Sequence, residues 1–529
     1  MGRNILLITT DQQRFDSLGC NGNTVARTPV IDSLARNGIN YQRAYNQNTV
    51  CMPARSSILT GQYVRTHGVV ANGIPLPVDA PSVAEYLNKK GNYRTSLLGK
   101  AHFEPGFDFN LKWEENKRAI RGDIGYWRGF ERSIQVMHAA AFNNIPLAHY
   151  GRWLRENHPE YFHSYADLLG AVPGGDTGAP ETKNNPIPTE WYHTSWVADL
   201  VIRQLDEYNE CDDWFCWMSF PDPHHPWDPP ESELGRIPWQ ELELPDGMPG
   251  SQEEIRKILS DKPAHWLAYF DGKWSNAEGG PMNFVPSALT NDMIREINAK
   301  VHVMNELIDE ACGRVISHLE QKNWLDDTDI FFTTDHGEMQ GDFGMLYKGP
   351  FHVDSLMRLP FIWRPAKAVD VKRGTVVSNP IQQIDLTATI CDIAGLPIPN
   401  WCQGKKLPTD NAELGFDSAI CEWDSQFPGY GMHLRSIYQD GWMATFYEPS
   451  TGGTPNGLEK VMGQDCLIKN PIQYSGDEGE LYNLNDDPHQ FVNRFNDAKC
   501  RSLVSDLKSQ LYDKLDTMPV RSLEVEAPA

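Results

Sequence analysis

The chain has 529 residues, 40% hydrophobic and 22% charged, the proportions of a soluble globular protein with room for one very large core or for two domains. Seventy-one carboxylates against 47 Lys and Arg leave a formal charge of −24, which argues against general affinity for nucleic acid or anionic membranes. A small anionic substrate remains compatible, because a few local cations and a metal can dominate one pocket.

The first predicted element, "NILLITT", is a short apolar run ending at Asp11, as a buried parallel strand would. It is too short for a signal-peptide core and lacks a small-residue cleavage site, and Leu6 breaks the myristoylation pattern. No segment approaches the ~20 apolar residues that span a bilayer. Ten cysteines are scattered without paired spacing, so they read as mostly reduced, buried thiols, and the expected compartment is cytoplasmic.

"TPVIDSLARNG" and "SVAEYLNKKG" read as helices with glycine stops, separated by "CMPARSSILTG", a short helix with Pro53 at its first position and Gly61 at its end. "YRTSLLGK" is a second strand. Residues 105–290 are rich in Trp, Pro, Gly and Asn and weakly periodic, and read as long insertions carrying specificity loops. Regularity returns after Thr290, an N-cap for a long amphipathic helix on which Ile294, Ile297, Val301, Met304, Ile308, Cys312, Val315 and Leu319 recur at helical spacing. "DIFFTTDHG" and "PFIW" are further strands and "DLTATICDIAG" a helix, an alternation that gives a mostly parallel sheet covered on both faces. Beyond residue 410, "SAICEW", "MHLRSIYQ" and "WMATFYE" suggest a smaller antiparallel sheet, followed by a last amphipathic helix. The expected division is a catalytic α/β domain over 1–410 and a smaller α+β domain over 411–529.

Two strands end in an acid, at Asp11 and at Asp335, and sites in parallel sheets form at such carboxyl ends. With Gln12 and His336 beside them they suit one divalent ion: oxygen donors lean towards Ca²⁺, the imidazole towards Mn²⁺. The bland alternative is that each Asp merely caps a helix. Cys51, at a helix mouth one turn before Arg55, reads as a nucleophile set against an anion, or as a small core residue. Lys100 and His102 share one rim of the sheet. His224 and His225 lie in "PDPHHPWDPP", whose five prolines fix a loop able to carry a general acid. Lys348 follows Asp335 across a bridging loop; taken singly, such a lysine is a solvated charge.

Together these residues resemble the sulfatase family of the alkaline phosphatase-like superfamily. "CMPARSSILTG" is similar to its C-x-P-x-R signature. "GNYRTSLLGKAH" is similar to its second signature with one extra residue, Asn92. "PHHP" and "TDHGEMQGDFGMLYK" follow in family order. The resemblance implies an alkaline phosphatase-like fold and conversion of Cys51 to formylglycine (3-oxoalanine) by a formylglycine-generating maturation enzyme. It implies a metal ion held by Asp11, Gln12, Asp335, His336 and residue 51, and an Arg55 that steadies the nucleophilic hydrate. Lys100 and Lys348 would bind sulfate oxygens, His224 would protonate the leaving alcohol, and His102 would take the proton that lets sulfate leave. Gln12, His336 and Asn72 resemble the branch of phosphonate monoester hydrolases and promiscuous arylsulfatases, and Asn72 is expected to bind substrate together with Lys100 and Lys348. The Lys100/His102 pair is the sulfatase form. The expected substrate is therefore a small or aryl sulfate monoester, with a phosphonate monoester or phosphodiester second and a non-catalytic metal-binding scaffold third. By analogy with related enzymes, the assembly is expected to be a dimer or tetramer.

Overall fold

The computed structural model describes residues 3–527 except 107, 109–110, 143–144, 166–173, 277–278, 282, 413–415, 426–431 and 451–471. Its centre is an eight-stranded sheet made of β1 (Asn4–Thr10), β2 (Ile39–Tyr41), β3 (Arg94–Gly99), β4 (Arg132–Gln135), β5 (Trp214–Ser219), β6 (Thr328–Thr334), β7 (Phe361–Arg364) and β8 (Thr375–Val377). The spatial order is β8-β2-β7-β6-β1-β5-β3-β4. β1 lies parallel between β5 and β6, and β7 alone is reversed, antiparallel to β6 and to β2.

The central strands are buried along nearly their whole length and apolar through their middles because both faces are covered. Ile5, Leu7, Phe215, Trp217 and Phe331 face a core built with helices Cys51–Thr60, Val83–Gly91 and Asp385–Ile393. Leu6, Ile8, Cys216, Met218 and Phe332 face a second core built with Pro29–Arg36, His193–Glu207 and Asn291–Gln321. The last of these helices begins where the sequence placed it: the Thr290 side chain accepts the Met293 amide, satisfying one of the donors left open at a helix start.

Three local expectations change. The span 105–290 is not insertion alone, since it supplies β4, β5 and the helix His193–Glu207. The helix Val83–Gly91 ends not on glycine but on Asn92, in the left-handed region at φ 57°. That explains the extra residue in the second signature. Gly38 follows the first helix because a Cβ there would meet the Trp363 carbonyl at 2.3 Å, a close approach rather than a left-handed stop.

Further along, β9 (Ala419–Asp424), β10 (His433–Gln439), β11 (Trp442–Tyr447) and β12 (Gly479–Asn483) form an antiparallel sheet in chain order. Helix Arg501–Leu515 packs Leu507, Leu511 and Leu515 on Ile420, Ile437, Ala444 and Leu481. This sheet joins the α/β body through Glu422, whose carboxylate pairs with Arg65 at 2.6 Å and whose carbonyl accepts from Asn48 at 2.7 Å. The nine described cysteines are all free, five of them buried, and Cys466 lies outside the described residues. No helix among the described residues is long and apolar enough to cross a membrane.

Candidate active site

Strand register creates the site. Thr10 is paired with Thr334, and Thr9 and Gly99 with Ser219, so β1, β6, β5 and β3 stop at nearly the same level. Asp11, Asp335 and Lys100 are the next residues out. Gly99 allows this convergence, because at its φ of 125° a Cβ would sit 1.7 Å from the Ser219 carbonyl oxygen. Gln12, His102 and Tyr347 take the left-handed conformation at φ 64°, 56° and 74°, a strain that gathers where these strands end.

Cys51 is the first residue of its helix, so Pro53 stands third rather than first; Gly61 closes the helix at φ 63°. The Cys51 sulfur is buried, 3.6 Å from Asp11 Oδ1 and 3.2 Å from His336 Nε2. Ligand atoms of Asp11, Cys51, Asp335 and His336 all lie within 4.8 Å of one another. His336 Nδ1 donates to the Gly337 carbonyl at 2.9 Å, which fixes the tautomer and turns the Nε2 lone pair to the cluster. Burial, reinforced by Lys348, lowers the His336 pKa to about 4, so the ring is neutral, as a metal ligand must be. Two carboxylates, one neutral imidazole and a sulfur facing one point form a donor set that fits a divalent ion.

Cations surround this cluster. Lys348 Nζ lies 3.1 Å from Cys51 Sγ, 2.6 Å from Gln12 Oε1 and 3.3 Å from His336 Nε2. Lys100 Nζ donates to Asp11 and reaches Cys51 Sγ at 4.0 Å. Burial alone would raise the Asp11 pKa, but Lys100, Arg55 and Lys348 together hold it well below the usual carboxylate range. Burial and Asp11 push the Cys51 thiol up, against the pull of Lys100 and Lys348. The thiol is therefore a poor source of thiolate.

Comparison with known proteins gives this geometry a family. The sulfatase family model matches residues 3–396. The chain belongs to the sulfatase family. It is 27% identical to an arylsulfatase of Clostridium perfringens over 416 residues, covering 77% of this chain and 78% of that protein. It is 25% identical to the multifunctional alkaline phosphatase superfamily protein PehA of Trinickia caryophylli, covering 95% and 93% of the two chains. The phosphonate monoester hydrolase of Agrobacterium radiobacter superposes with a TM-score of 0.75 at 24% identity over 97% of this chain and 95% of that one, which shows the alkaline phosphatase-like fold.

Not every residue of the sulfatase pattern sits as expected. Arg55 is fully buried and spends its guanidinium on the protein. Nε donates to Asp335 Oδ2 at 2.8 Å, Nη1 to the Lys100 carbonyl and Ser219 Oγ at 2.9 Å each, and Nη2 to the Thr10 carbonyl at 3.3 Å. It thus braces the carboxylates Asp335 and Asp11 of the cluster. Gln12 gives its amide oxygen to Lys348 and its amide nitrogen to Glu338, so it stands beside the donor cluster with its oxygen engaged. The Asn72 side-chain oxygen accepts the Met52 amide at 2.9 Å, holding the start of the Cys51 helix. His102 is buried among these charges, with Nδ1 lacking a hydrogen-bond partner among the described residues. His224 Nδ1 donates to the His225 carbonyl, leaving Nε2 as its working nitrogen. Burial, with His225, Lys348, His138 and Lys100, depresses its pKa well below the ordinary imidazole value.

Sequence reading passed over Glu338 and His138 and gave His225 no role of its own. Glu338, inside the last signature, accepts Gln12 and the Tyr347 amide and so anchors the loop that carries Lys348. His225 places Nδ1 3.1 Å from Gln12 Nε2. His138, just beyond β4, has no motif around it, yet its Nδ1 lies 3.2 Å from Lys100 Nζ and its ring stacks on His224.

Proposed function

We propose that this sulfatase-family chain hydrolyses sulfate monoesters of a small or aryl alcohol. The observation that carries the reading is the pair of ammonium groups, Lys348 and Lys100, 3.1 and 4.0 Å from the Cys51 sulfur and set in among Asp11, Asp335 and His336, with Lys100 on Asp11 and Lys348 3.3 Å from His336 Nε2. Three cations, Arg55, Lys100 and Lys348, stand against the two carboxylates Asp11 and Asp335, so the pocket attracts an anion before any metal is counted. Conversion of Cys51 to formylglycine by a maturation enzyme would supply, on hydration, a hydroxyl nucleophile and a second ionisable hydroxyl. A divalent ion, Ca²⁺ or Mn²⁺, held by Asp11, Asp335, His336 and residue 51 with Gln12 alongside, would add Lewis-acid activation.

The remaining chemistry falls to side chains. Lys100 and Lys348 bind the sulfate oxygens and offset the charge that grows on them in the transition state. Asn72 holds the residue-51 helix in place beside them. Arg55 pairs with Asp335 and Asp11 and holds both carboxylates in place, and with Lys100 it keeps Asp11 ionised. His224 presents Nε2 to the leaving oxygen, and the bound anion favours the protonated ring that the free pocket disfavours. His102, with its unpartnered Nδ1, takes the proton released as sulfate departs. Assembly as a dimer or tetramer is part of the same reading.

The less negative donor set, with Gln12 and His336 in place of further carboxylates, supports a second reading as a phosphonate monoester or phosphodiester hydrolase. Matched aryl sulfates and aryl phosphonates separate the two. The expected kcat/KM favours the sulfate; a phosphonate preference above ~100-fold, about 2.7 kcal/mol of differential transition-state binding, reverses the assignment. The intact mass of the Cys51 peptide tests the conversion: an unmodified thiol in active protein sinks the nucleophile.

A further inference from the structure

Beside the donor cluster lies a second group that shares Asp11. Ligand atoms of Asp11, His138 and His224 are within 4.8 Å of one another. Their common space already holds a cation, since the Lys100 ammonium donates to Asp11 and lies 3.2 Å from His138 Nδ1. An ammonium has only donors, so His138 Nδ1 is the acceptor and the ring is the Nε2–H tautomer. The other side of this ring is used as well. His138 stacks on His224 with centroids 4.0 Å apart and planes 19° from parallel, while His225 flanks His224 from its own direction at 3.9 Å. His224 is thus fixed by its Nδ1–H bond to a carbonyl and by rings packed against it. Lys100 is fixed by one carboxylate and one imidazole.

We infer that His138 is a positioning residue that aims both the sulfate-binding Lys100 and the proton donor His224, linking anion recognition to departure of the alcohol. The inference rests on the functional reading above. Its two halves use different parts of one ring: the Nδ1 lone pair serves Lys100, and the π face serves His224. They can be separated by substitution. His138→Asn keeps a side-chain oxygen able to accept from Lys100 and loses the face. His138→Phe keeps the face and loses the acceptor.

The experiment measures kcat and KM for the metal-loaded protein with a series of aryl sulfates of graded leaving-group pKa. His138→Ala should lose ~10-fold or more with the poorest leaving group and less with nitrophenyl sulfate, because an activated phenolate needs little protonation. His138→Phe should recover the leaving-group-dependent part, and His138→Asn the part common to all esters. His224→Ala, run alongside, should show the steepest dependence. A flat His224→Ala series removes the proton-donor reading and the stacking half with it. A steep His224→Ala series beside a His138→Ala series within twofold of wild type overturns the inference alone. Losses equal in all three His138 variants, whatever the leaving group, also overturn it, because they describe a structural ring. So does Zn²⁺ inhibition that His138→Ala relieves, because the trio would then be a metal site rather than a seat for Lys100. If the chain prefers phosphonates, the same series in that class decides the question.

Discussion

Lys348 and Lys262 are both almost completely buried, at 4% and 6% exposure, yet they sit in opposite kinds of ionic cluster. Lys262 donates to Tyr482 Oη at 2.6 Å, lies 3.4 Å from Glu480, and is walled by the rings of Trp266, Phe343 and Tyr482 at 4.4–4.7 Å. Glu480 in turn accepts from Tyr447, Tyr482 and the Trp266 indole. One cation meets one anion and each donor has a seat, so the cage locks the antiparallel sheet to the α/β body. Around Lys348 three cations share two carboxylates, and the leftover donors point at a sulfur, an amide oxygen and an imidazole lone pair. A closed cluster holds structure; an open one waits for an anion. Substitutions should therefore damage folding at the first and chemistry at the second.

The sharpest break is expected at residue 51. Cys51→Ala should lower kcat on the order of 10³-fold or more, as loss of a nucleophile does elsewhere. It should leave the urea midpoint nearly unchanged, because the sulfur's contacts with Asp11, His336, Lys100 and Lys348 are weak hydrogen bonds. Activity within tenfold of wild type would remove residue 51 from the chemistry. Lys348→Ala comes next. An electrostatic donor aimed at developing charge is worth about 10²–10³ in kcat, and the loss should appear with every ester of the series. Equal loss of stability and activity would move Lys348 into the structural class with Lys262.

The contrast also marks what sequence could carry. β1 and β6 were readable because each is an apolar run stopped by an acid, and the pairing of Asp11 with Asp335 followed from their places at strand carboxyl ends, with which the family resemblance agreed. Their side-by-side placement depends on the Thr10–Thr334 register, which no local pattern encodes. β5, in the middle of the sheet, was hidden because "WFCWMS" is buried on both faces and sits in a stretch rich in proline and aromatics. Arg55 was recognisable as part of a signature but not as a brace, since that depends on where the ends of four strands arrive. His138 left no signal at all: its role comes from tertiary contact with Lys100 and His224. The cage was equally silent, as Lys262 and Glu480 are 218 residues apart.

Lys262→Met tests the closed cluster. It leaves kcat and KM unchanged and costs about 3 kcal/mol in urea unfolding, the usual loss when one partner of a buried pair is removed. Adding Glu480→Gln should return most of that loss, since the uncompensated charge is gone. Failure of the second change to rescue would mean that the lysine's packing against three rings, not its charge, holds the sheet.

A smaller effect, also confined to stability, is expected at Asp424 on β9. Its carboxylate accepts from His433 Nδ1 and Arg435 Nη2 at 2.7 Å each. Burial would raise its pKa, but Arg435 and His433 outweigh burial and lower it to about 2. A folded pKa below the unfolded value means that the unfolded chain binds the proton first as pH falls. The stabilisation is thus complete above the unfolded value of 3.8 and is lost as pH drops through about 2. The shift corresponds to about 2 kcal/mol at neutral pH. Asp424→Asn should lower unfolding free energy by up to that amount at pH 7, and the gap to wild type should narrow below pH 4. It should leave the leaving-group series untouched, because among the described residues Asp424 bonds to His433 and Arg435 and to no member of the cluster around residue 51. A gap that stays constant between pH 7 and pH 3 would assign the loss to hydrogen-bond geometry instead of charge. A change in kcat would couple the antiparallel sheet to the site and dissolve the distinction between the two clusters.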